Sequence, residues 1–444
     1  MAKFPKDFIF GAATASFQIE GAAFEDGKTP SIWDTFCRTP GKVYMGHNGD
    51  IACDHYHRYK DDVKLLKTLG VDAYRFSIAW PRIFPEKGKY NPKGMDFYKR
   101  LVDELNKNGI MPAATIYHWD LPQWAYDLGA WVHDDSPKYF EEYSIKLFEE
   151  LGDSVPMWIT LNEPWCSSFL SYYFGHHAPG HTDLREAIKV AHNLLIGHGL
   201  AVSDYRSMNI KGGQIGITLN FTPSYPATDK EEDILASKYC DGFNNRWFLD
   251  PIFKGSYPED MIELFESRVG KLNFIKEEDM KVISAKNDFL GINYYTRTLA
   301  KYNENNDLKV DAFAGDLPKT EMGWEICPDV LYEFLVRLKN EYTDIPLYIT
   351  ENGAAFDDKV SEDGKVHDKD RVMFLKEHIE RVNRFLQEGG NIKGYFCWSF
   401  MDNFEWAFGY SKRFGITYVD YNTQNRIFKD SAYWYKNLIE TREI

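Results

Sequence analysis

Eight short apolar runs, alternating with segments of helical period, predict a single α/β domain over residues 1–444: a (β/α)8, or TIM, barrel with extended loops at the C-terminal face of its strands. Two further observations support that fold. Several runs place apolar residues at consecutive positions, as parallel strands covered on both faces require. Almost every run then ends in a polar or aromatic residue, on the side where a barrel gathers its pocket.

The runs are FIFGAATASF (8–17), AYRFSIAW (73–80), PAATIYHW (112–119), MWITLNEP (157–164), GQIGITLNF (213–221), FLGINYYT (289–296), LYITENG (347–353) and KGYFCWSF (393–400). Helix ends are readable between them. YKDDVKLLKTLG (59–70) stops at Gly70 and MDFYKRLVDELNKNG (95–109) at Gly109, as expected of glycine closing a helix. SPKYFEEYSIKLFEELG (136–152) has Pro137 in its first turn and stops at Gly152. DKDRVMFLKEHIERVNRFLQEGG (368–390) carries the last long apolar stripe to Gly389 and Gly390. The stretches around 222–287 and 297–345 exceed a plain βα unit and are expected to form loops or extra helices at the barrel mouth. No Ser/Gly-rich linker, low-complexity tract or charge block divides the chain.

A doubly wound sheet is the rival fold, but the Gly-x-Gly-x-x-Gly turn that would announce it is absent. GAAFEDGKT (21–29) approaches a phosphate loop, yet Gly21 lies one residue too far from Gly27-Lys28-Thr29, and Glu25 and Asp26 would repel a phosphate.

The formal charge of −15, with both signs mixed along the chain, argues against a nucleic-acid partner, which wants a positive patch. Twelve tryptophans suit flat, partly apolar ligands such as sugar rings, with about half of them expected in the core. Cys37, Cys53, Cys166, Cys240, Cys327 and Cys397 show no Cys-x-x-Cys pairing and read as reduced, buried thiols. The opening MAKFPKDFIFGAATASFQIEG lacks an apolar core of signal-peptide length, and no segment reaches the ~18 apolar residues of a membrane span. A soluble cytoplasmic protein without a membrane partner is expected.

Read along the strands, the C-terminal ends carry Gln18, Arg75, His118 with Trp119, Asn162 with Glu163, Asn293 with Tyr295, Glu351, and Trp398. A carboxylate is costly at the end of an apolar strand, and two occur: Glu163 closes MWITLNEP and Glu351 sits in LYITENG. The fourth and seventh strands face each other over a barrel mouth. Paired carboxylates flanking one bond are the equipment of glycoside hydrolysis. At a separation of about 5–5.5 Å, one attacks the sugar while the other first donates and then removes a proton. Arg75 and Tyr295 offer a cation and a donor to a carboxylate that must stay ionised, and a negative neighbour raises the pKa of the acid. Taken singly, each glutamate reads as a loop ion pair or helix cap; their pairing beside Asn162 and Tyr295 favours a site.

Other motifs read more plainly. Asp54, His55 and His57 in CDHYHRYKDD (53–62) have a spacing a metal could use, but no further ligand cluster accompanies them. They read as a loop leading into a helix, with the histidines bonded to backbone. His176 and His177 in GHHAPG (175–180) are adjacent and so point apart, reading as loop structure or substrate contact rather than zinc. NFT (220–222) matches a glycosylation acceptor at a cytosolic strand end, and no Gly-x-Ser-x-Gly elbow is present. No metal and no cofactor is expected.

With those residues in view, FIFGAATASFQIEG, YHWDLP (117–122), TLNEP, FLGINYYT, YITENG, WSFMDNFEW (398–406) and GYSKRFG (409–415) resemble the signatures of glycoside hydrolase family 1, the retaining β-glucosidases and their relatives. The likeness runs from Phe8 to beyond Trp434. It implies Glu351 as nucleophile and Glu163 as acid/base, Tyr295 and Arg75 bracing the nucleophile, and Asn293 beside them. It also implies that Gln18, His118, Asn162, Glu405 and Trp406 bond the hydroxyls of a sugar lying on Trp398, with Trp119 and Phe414 in the binding set. Trp324, Trp165 and His177 would line the leaving-group side.

In the thioglucoside-cleaving branch a Gln replaces the acid, whereas this chain has Glu163. In the branch acting on 6-phosphosugars the glutamate of FEW is replaced; here Glu405 is retained, and a carboxylate beside a phosphate dianion is costly in a dry site. Lys412 in YSKRFG keeps that alternative open. A non-catalytic sugar-binding barrel is the other alternative, one that family members reach by losing a glutamate. The expected protein is a β-glucosidase acting on small-molecule β-glycosides. It would remove the terminal non-reducing glucosyl residue of oligosaccharides or aryl and alkyl glucosides, as in cellulose degradation, with galactosidase or fucosidase side activity.

Overall fold

The computed structural model describes residues 3–444 and contains the expected barrel, eight parallel strands in the closed order β1-β8-β7-β6-β5-β4-β3-β2. They are β1 (Ile9–Ala13), β2 (Ala73–Ser77), β3 (Met111–Tyr117), β4 (Met157–Asn162), β5 (Gln214–Phe221), β6 (Phe289–Tyr294), β7 (Leu347–Asn352) and β8 (Ile392–Trp398). Helices cover them: α1 (His55–Leu69), α2 (Pro92–Lys107), α3 (Ser136–Leu151), α4 (Leu184–Ser207), α5 (Pro328–Glu341), α6 (Lys369–Gln387) and α7 (Asp430–Thr441). Gly70 and Gly389 follow α1 and α6 in left-handed conformations (φ 79° and 81°) that glycine adopts at little cost. None of the helices among the described residues is long and apolar enough to cross a membrane.

Consecutive apolar residues on one strand serve two different cores. Ala73, Met157, Ile159, Phe289, Tyr348, Phe396 and Trp398 belong to a cluster that fills the barrel. Their sequence neighbours Tyr74, Trp158, Leu290, Leu347, Ile349, Tyr395 and Cys397 belong to a larger cluster between sheet and helices. Side chains on a strand alternate between faces, so a run that is apolar at every position is what this double burial selects.

The two glutamate-bearing strands break that alternation at the point where it matters. Tyr348 points into the barrel, and strict period 2 would send Glu351 outward toward the helices. The pairing of β7 slips against β6 between Ile349 and Glu351, and against β8 between Ile349 and Asn352. A matching slip in β4 lies between Ile159 and Asn162. Such bulges re-aim side chains, and here they turn both strand ends into the mouth.

Several boundaries differ from the sequence reading. β1 ends at Ala13, because the Ser16 N–H donates to Ser77 Oγ (2.7 Å) and the chain turns into a short helix, Ser16–Ile19, that carries Gln18. β2 ends at Ser77, and Trp80 with Pro81 opens a helical turn, so Arg75 lies in mid-strand rather than at a strand end. α1 begins four residues early, at His55. The 222–287 stretch holds helices at Glu231–Asp241, Trp247–Phe253, Glu259–Val269 and Glu277–Ile283, as expected. The 297–345 stretch holds α5 and, beyond the expected loops and helices, contributes two strands, Thr298–Tyr302 and Val310–Phe313, to a three-stranded sheet with Ser224–Pro226. Cross-strand partners of opposite charge, Lys301 and Asp311, suit that hairpin.

The Asn352-Gly353 step ends β7 for a steric reason. A Cβ on Gly353 would sit 1.6 Å from the Trp398 carbonyl oxygen, so only glycine lets β7 pass β8 here. Asn352 clamps the same level: its amide donates to the Tyr294 carbonyl (2.7 Å), and the Tyr395 hydroxyl donates to its Oδ1 (2.7 Å). Gly353→Ala is therefore expected to destabilise the fold by about 2 kcal/mol or more, measured by denaturant unfolding, and to lower activity by displacing Trp398.

Candidate active site

A cavity of about 880 Å³ opens at the C-terminal ends of the strands. Its polar wall contains Glu163, Glu351, Asn293, Tyr295, His118 and Glu405; its aromatic wall contains Trp119, Trp165, Trp324, Trp398, Trp406, Phe414 and His177. Five of the twelve tryptophans thus face the cavity. Arg75 and Asn162 are buried beneath this lining, bonded to Glu351 and to one another.

Glu351 is held at both oxygens by strong donors. Arg75 NH1 donates to Oε1 at 2.6 Å and the Tyr295 hydroxyl to Oε2 at 2.7 Å. Burial raises its pKa, and the Arg75 charge and the Tyr295 bond oppose that rise. Glu163 is equally buried but has no cation bonded to it. Asn293 Nδ2 donates to its Oε1 at 2.7 Å, and Cys166 Sγ to its Oε2 at 3.2 Å. Burial first, and then the charge of Glu351, push Glu163 up to about 8. Two carboxyls at one pocket are thereby driven apart, with Glu351 the first to ionise.

The backbone contributes as well. Glu163 sits at φ 51°, Trp119 at 74° and Trp406 at 47°, a left-handed region that costs a non-glycine residue of the order of 1 kcal/mol. At Glu163 this reverses the chain directly after the strand. The glutamate therefore stays at the mouth while the following residues wind into a helical turn.

Asn162 Oδ1 accepts from Arg75 NH2 (2.6 Å) and Asn293 Nδ2 (3.1 Å), so its amide nitrogen faces His118 Nε2 (3.1 Å). Burial and Arg75 hold His118 well below the usual imidazole range, so it is neutral, and with Nε2 accepting, its proton is on Nδ1. His118 Nδ1, Gln18 Oε1 and Glu405 Oε2 are buried without a partner among the described residues. Burial, then Glu351 and Glu163, raise Glu405 to about 8. Gln18 is fixed from its other end, its Nε2 donating to Asn403 Oδ1 (3.0 Å) and the Phe404 carbonyl (2.8 Å).

The loop after β8 that carries Asn403, Glu405 and Trp406 is anchored by buried ions. Asp402 accepts from Lys429 Nζ (2.7 Å) and Arg413 NH1 (2.6 Å), and Lys429 also bonds Asp358 (2.6 Å), which Arg371 grips at 2.6 Å. His177 is packed among Trp33, Trp119 and Trp406, and burial lowers its pKa to about 3. Trp324 and Phe414 stand 5.3 and 6.1 Å from the Tyr295 ring.

Of the expected residues, all but Gln18, Arg75 and Asn162 line the cavity, and these three lie buried outside its lining; other expectations are corrected. His55 and His57 bond carboxylates, not backbone: His55 Nδ1 meets Asp62 at 2.8 Å, and His57 meets Asp54 at 2.6 Å and Glu25 at 3.0 Å. The early start of α1 explains this, since His55 and Asp62 then lie two turns apart on one helix face. Lys28 turns inward onto Asp34 (3.3 Å). Among the described residues no group of three or more His, Cys, Asp or Glu side chains is arranged to hold a metal ion. The sequence reading missed Asn220 at the end of β5, which lines the cavity, and Cys166. Both were within reach: Asn220 ends an apolar run, and Cys166 follows Glu163 by three residues.

Two carboxyls of unlike environment at the mouth of one barrel, rimmed by aromatic rings and unpartnered hydrogen-bonding atoms, suit a glycosidic bond and define a glycoside hydrolase. The family model described as Glycosyl hydrolase family 1 matches residues 1–444, and the chain belongs to that family. It is 50% identical over 441 residues to Beta-glucosidase A of Acetivibrio thermocellus, covering 98% of each chain. It is 45% identical over 458 residues to a bifunctional beta-D-glucosidase/beta-D-fucosidase of Bifidobacterium breve, again with 98% of each covered. The crystal structure of a GH1 beta-glucosidase from Exiguobacterium antarcticum B7 superposes with a TM-score of 0.98 at 54% identity, over 99% of both chains.

Glu163 also leaves a signature in stability. Its native pKa lies above that of an unfolded carboxyl, so the native state binds the extra proton and loses stability as pH rises from about 4.5 to 8. Glu163→Gln removes that loss. Its Tm relative to the parent is expected to be roughly 1–3 °C higher at pH 8 than at pH 5.5, read by calorimetry.

Proposed function

We propose that the chain is a retaining β-glucosidase, one catalytic unit over 1–444, with Glu351 as nucleophile and Glu163 as acid/base. The observation that carries this reading is the unequal support of the two buried glutamates: Arg75 and Tyr295 on one, an amide and a thiol on the other. Glu351, ionised, attacks the anomeric carbon while Glu163 protonates the departing oxygen. The ester formed at Glu351 removes the charge that held Glu163 protonated. Glu163 then takes a proton from water, which hydrolyses the ester.

Gln18 Oε1, His118 Nδ1 and Glu405 Oε2 offer bonds to the sugar hydroxyls, and Asn162 is suited to the 2-hydroxyl, whose bond strengthens in the transition state. Trp398 supplies the ring face beneath the sugar. Asn293 braces Glu163, Trp119 and Trp406 close the sugar end with His177 packed against them, and Trp165 and Trp324 face the leaving group, with Phe414 beside Trp324. The name of the Acetivibrio relative supports glucosides as substrates. A 6-phosphosugar is disfavoured by Glu405, and Lys412 is turned onto the Glu321 carbonyl (2.7 Å). Six free, buried cysteines support a cytoplasmic location.

The central test uses two variants. Glu351→Gly should abolish hydrolysis, and added azide or formate should restore part of it. Glu163→Ala should cut kcat/KM on cellobiose by roughly 10²–10⁴-fold while sparing 2,4-dinitrophenyl glucoside, whose leaving group needs no proton. Equal losses on both substrates would overturn the division of roles, and a folded parent protein inert to p-nitrophenyl β-glucoside would overturn the activity.

Glu405 can meet a 4-hydroxyl in either configuration, and the name of the Bifidobacterium relative points the same way. Measurable release from p-nitrophenyl β-galactoside or β-fucoside is therefore expected; a panel in which only the glucoside reacts would contradict it.

A further inference from the structure

The carboxyl of Glu163 is gripped unevenly, and the weaker side is a thiol. Asn293 donates to Oε1 at 2.7 Å, whereas the partner of Oε2 among the described residues is Cys166 Sγ at 3.2 Å. Both oxygens of Glu351, in contrast, accept from strong donors. A thiol is the weakest donor of these four and also accepts weakly. Of the four oxygens of Glu163 and Glu351, Oε2 of Glu163 is therefore the one that can carry a proton without giving up a strong bond.

The chain builds this contact locally. After the left-handed Glu163, the Cys166 N–H donates to the Glu163 carbonyl at 2.9 Å, and a π-helical turn, Cys166–Leu170, follows. The Ser171 hydroxyl donates to the Cys166 carbonyl at 2.8 Å. Such turns are uncommon and cluster at functional sites. Cys166 is buried, and both it and Glu163 line the cavity.

We propose that Cys166 is a positioning residue for proton transfer: its thiol steadies Oε2 of Glu163 toward the glycosidic oxygen and, as a weak donor, leaves the proton on that oxygen. This rests on the reading of Glu163 as acid/base. Burial pushes the thiol well above its usual range, so it acts as a neutral S–H. The other groups that act on Glu163 are Glu351 from β7, Arg75 from β2, Asn293 from β6, Tyr295 just after β6, and Glu405 from the loop after β8. A hydroxyl at position 166 would donate more strongly and favour the carboxylate; a methyl would not donate at all.

The test compares Cys166→Ser and Cys166→Ala by the pH dependence of kcat/KM. On cellobiose, the alkaline limb is expected to move down by roughly half a pH unit in the Ser variant and up by a similar amount in the Ala variant. On 2,4-dinitrophenyl glucoside neither variant should show that shift. Limbs that stay in place, or move in the same direction, would reduce Cys166 to a packing residue and overturn the proposal. Glu163→Ala, run in parallel, separates the two failures. If it discriminates between the substrates while the Cys166 variants do not shift, only the thiol's role falls; if it does not discriminate, the acid/base assignment falls and the proposal with it.

Discussion

Arg75 lies inside the barrel, where an unpaired guanidinium would carry a prohibitive desolvation cost, and its donors reach three other strands. From β2 it reaches Thr115 on β3 (3.1 Å), Asn162 on β4 (2.6 Å), and both Glu351 and the Thr350 carbonyl on β7 (2.6 and 3.1 Å). One group thereby decides three things. It keeps Glu351 the more easily ionised carboxyl, it occupies the oxygen of Asn162, and through the amide nitrogen of Asn162 it selects the tautomer of His118. The network works as a unit because each member's remaining donor or acceptor is assigned by the one before it.

A second buried network supports the opposite wall. Asp358, Asp402, Arg371, Arg413 and Lys429 interlock beneath the loop that follows β8. Buried ion pairs add little net stability over apolar packing, but they admit very few geometries. The loop they hold supplies Asn403, which orients Gln18, as well as Glu405 and Trp406. Charges at some distance from the cavity thus govern the placement of Glu405 and Trp406 at its wall, and of the buried Gln18.

Much of this was visible in the sequence because burial on two faces leaves a plain mark. Runs such as FIFGAA and GYFCW, apolar at consecutive positions, announce strands covered by helices, and a glutamate ending such a run announces a pocket. What could not be read depends on contacts distant in sequence. β1 stops early because Ser77 takes the Ser16 N–H. His55 finds Asp62 rather than backbone because α1 starts ahead of its apolar stripe. The bulges that turn Glu163 and Glu351 into the mouth arise from slippage between neighbouring strands, which no single run records. Asn220 and Cys166 were legible by position, near the end of an apolar run and three residues after Glu163, but an amide and a thiol do not announce a site by residue type.

The separation between the packing inside the barrel and the packing around it has an evolutionary corollary. Side chains such as Tyr74, Trp158 and Ile349 sit in the outer layer with the helices, whereas Met157, Tyr348 and Phe396 form the packed floor inside the barrel. Adaptation to heat or cold can draw on the outer layer through repacking and helix-surface charge, leaving the floor untouched.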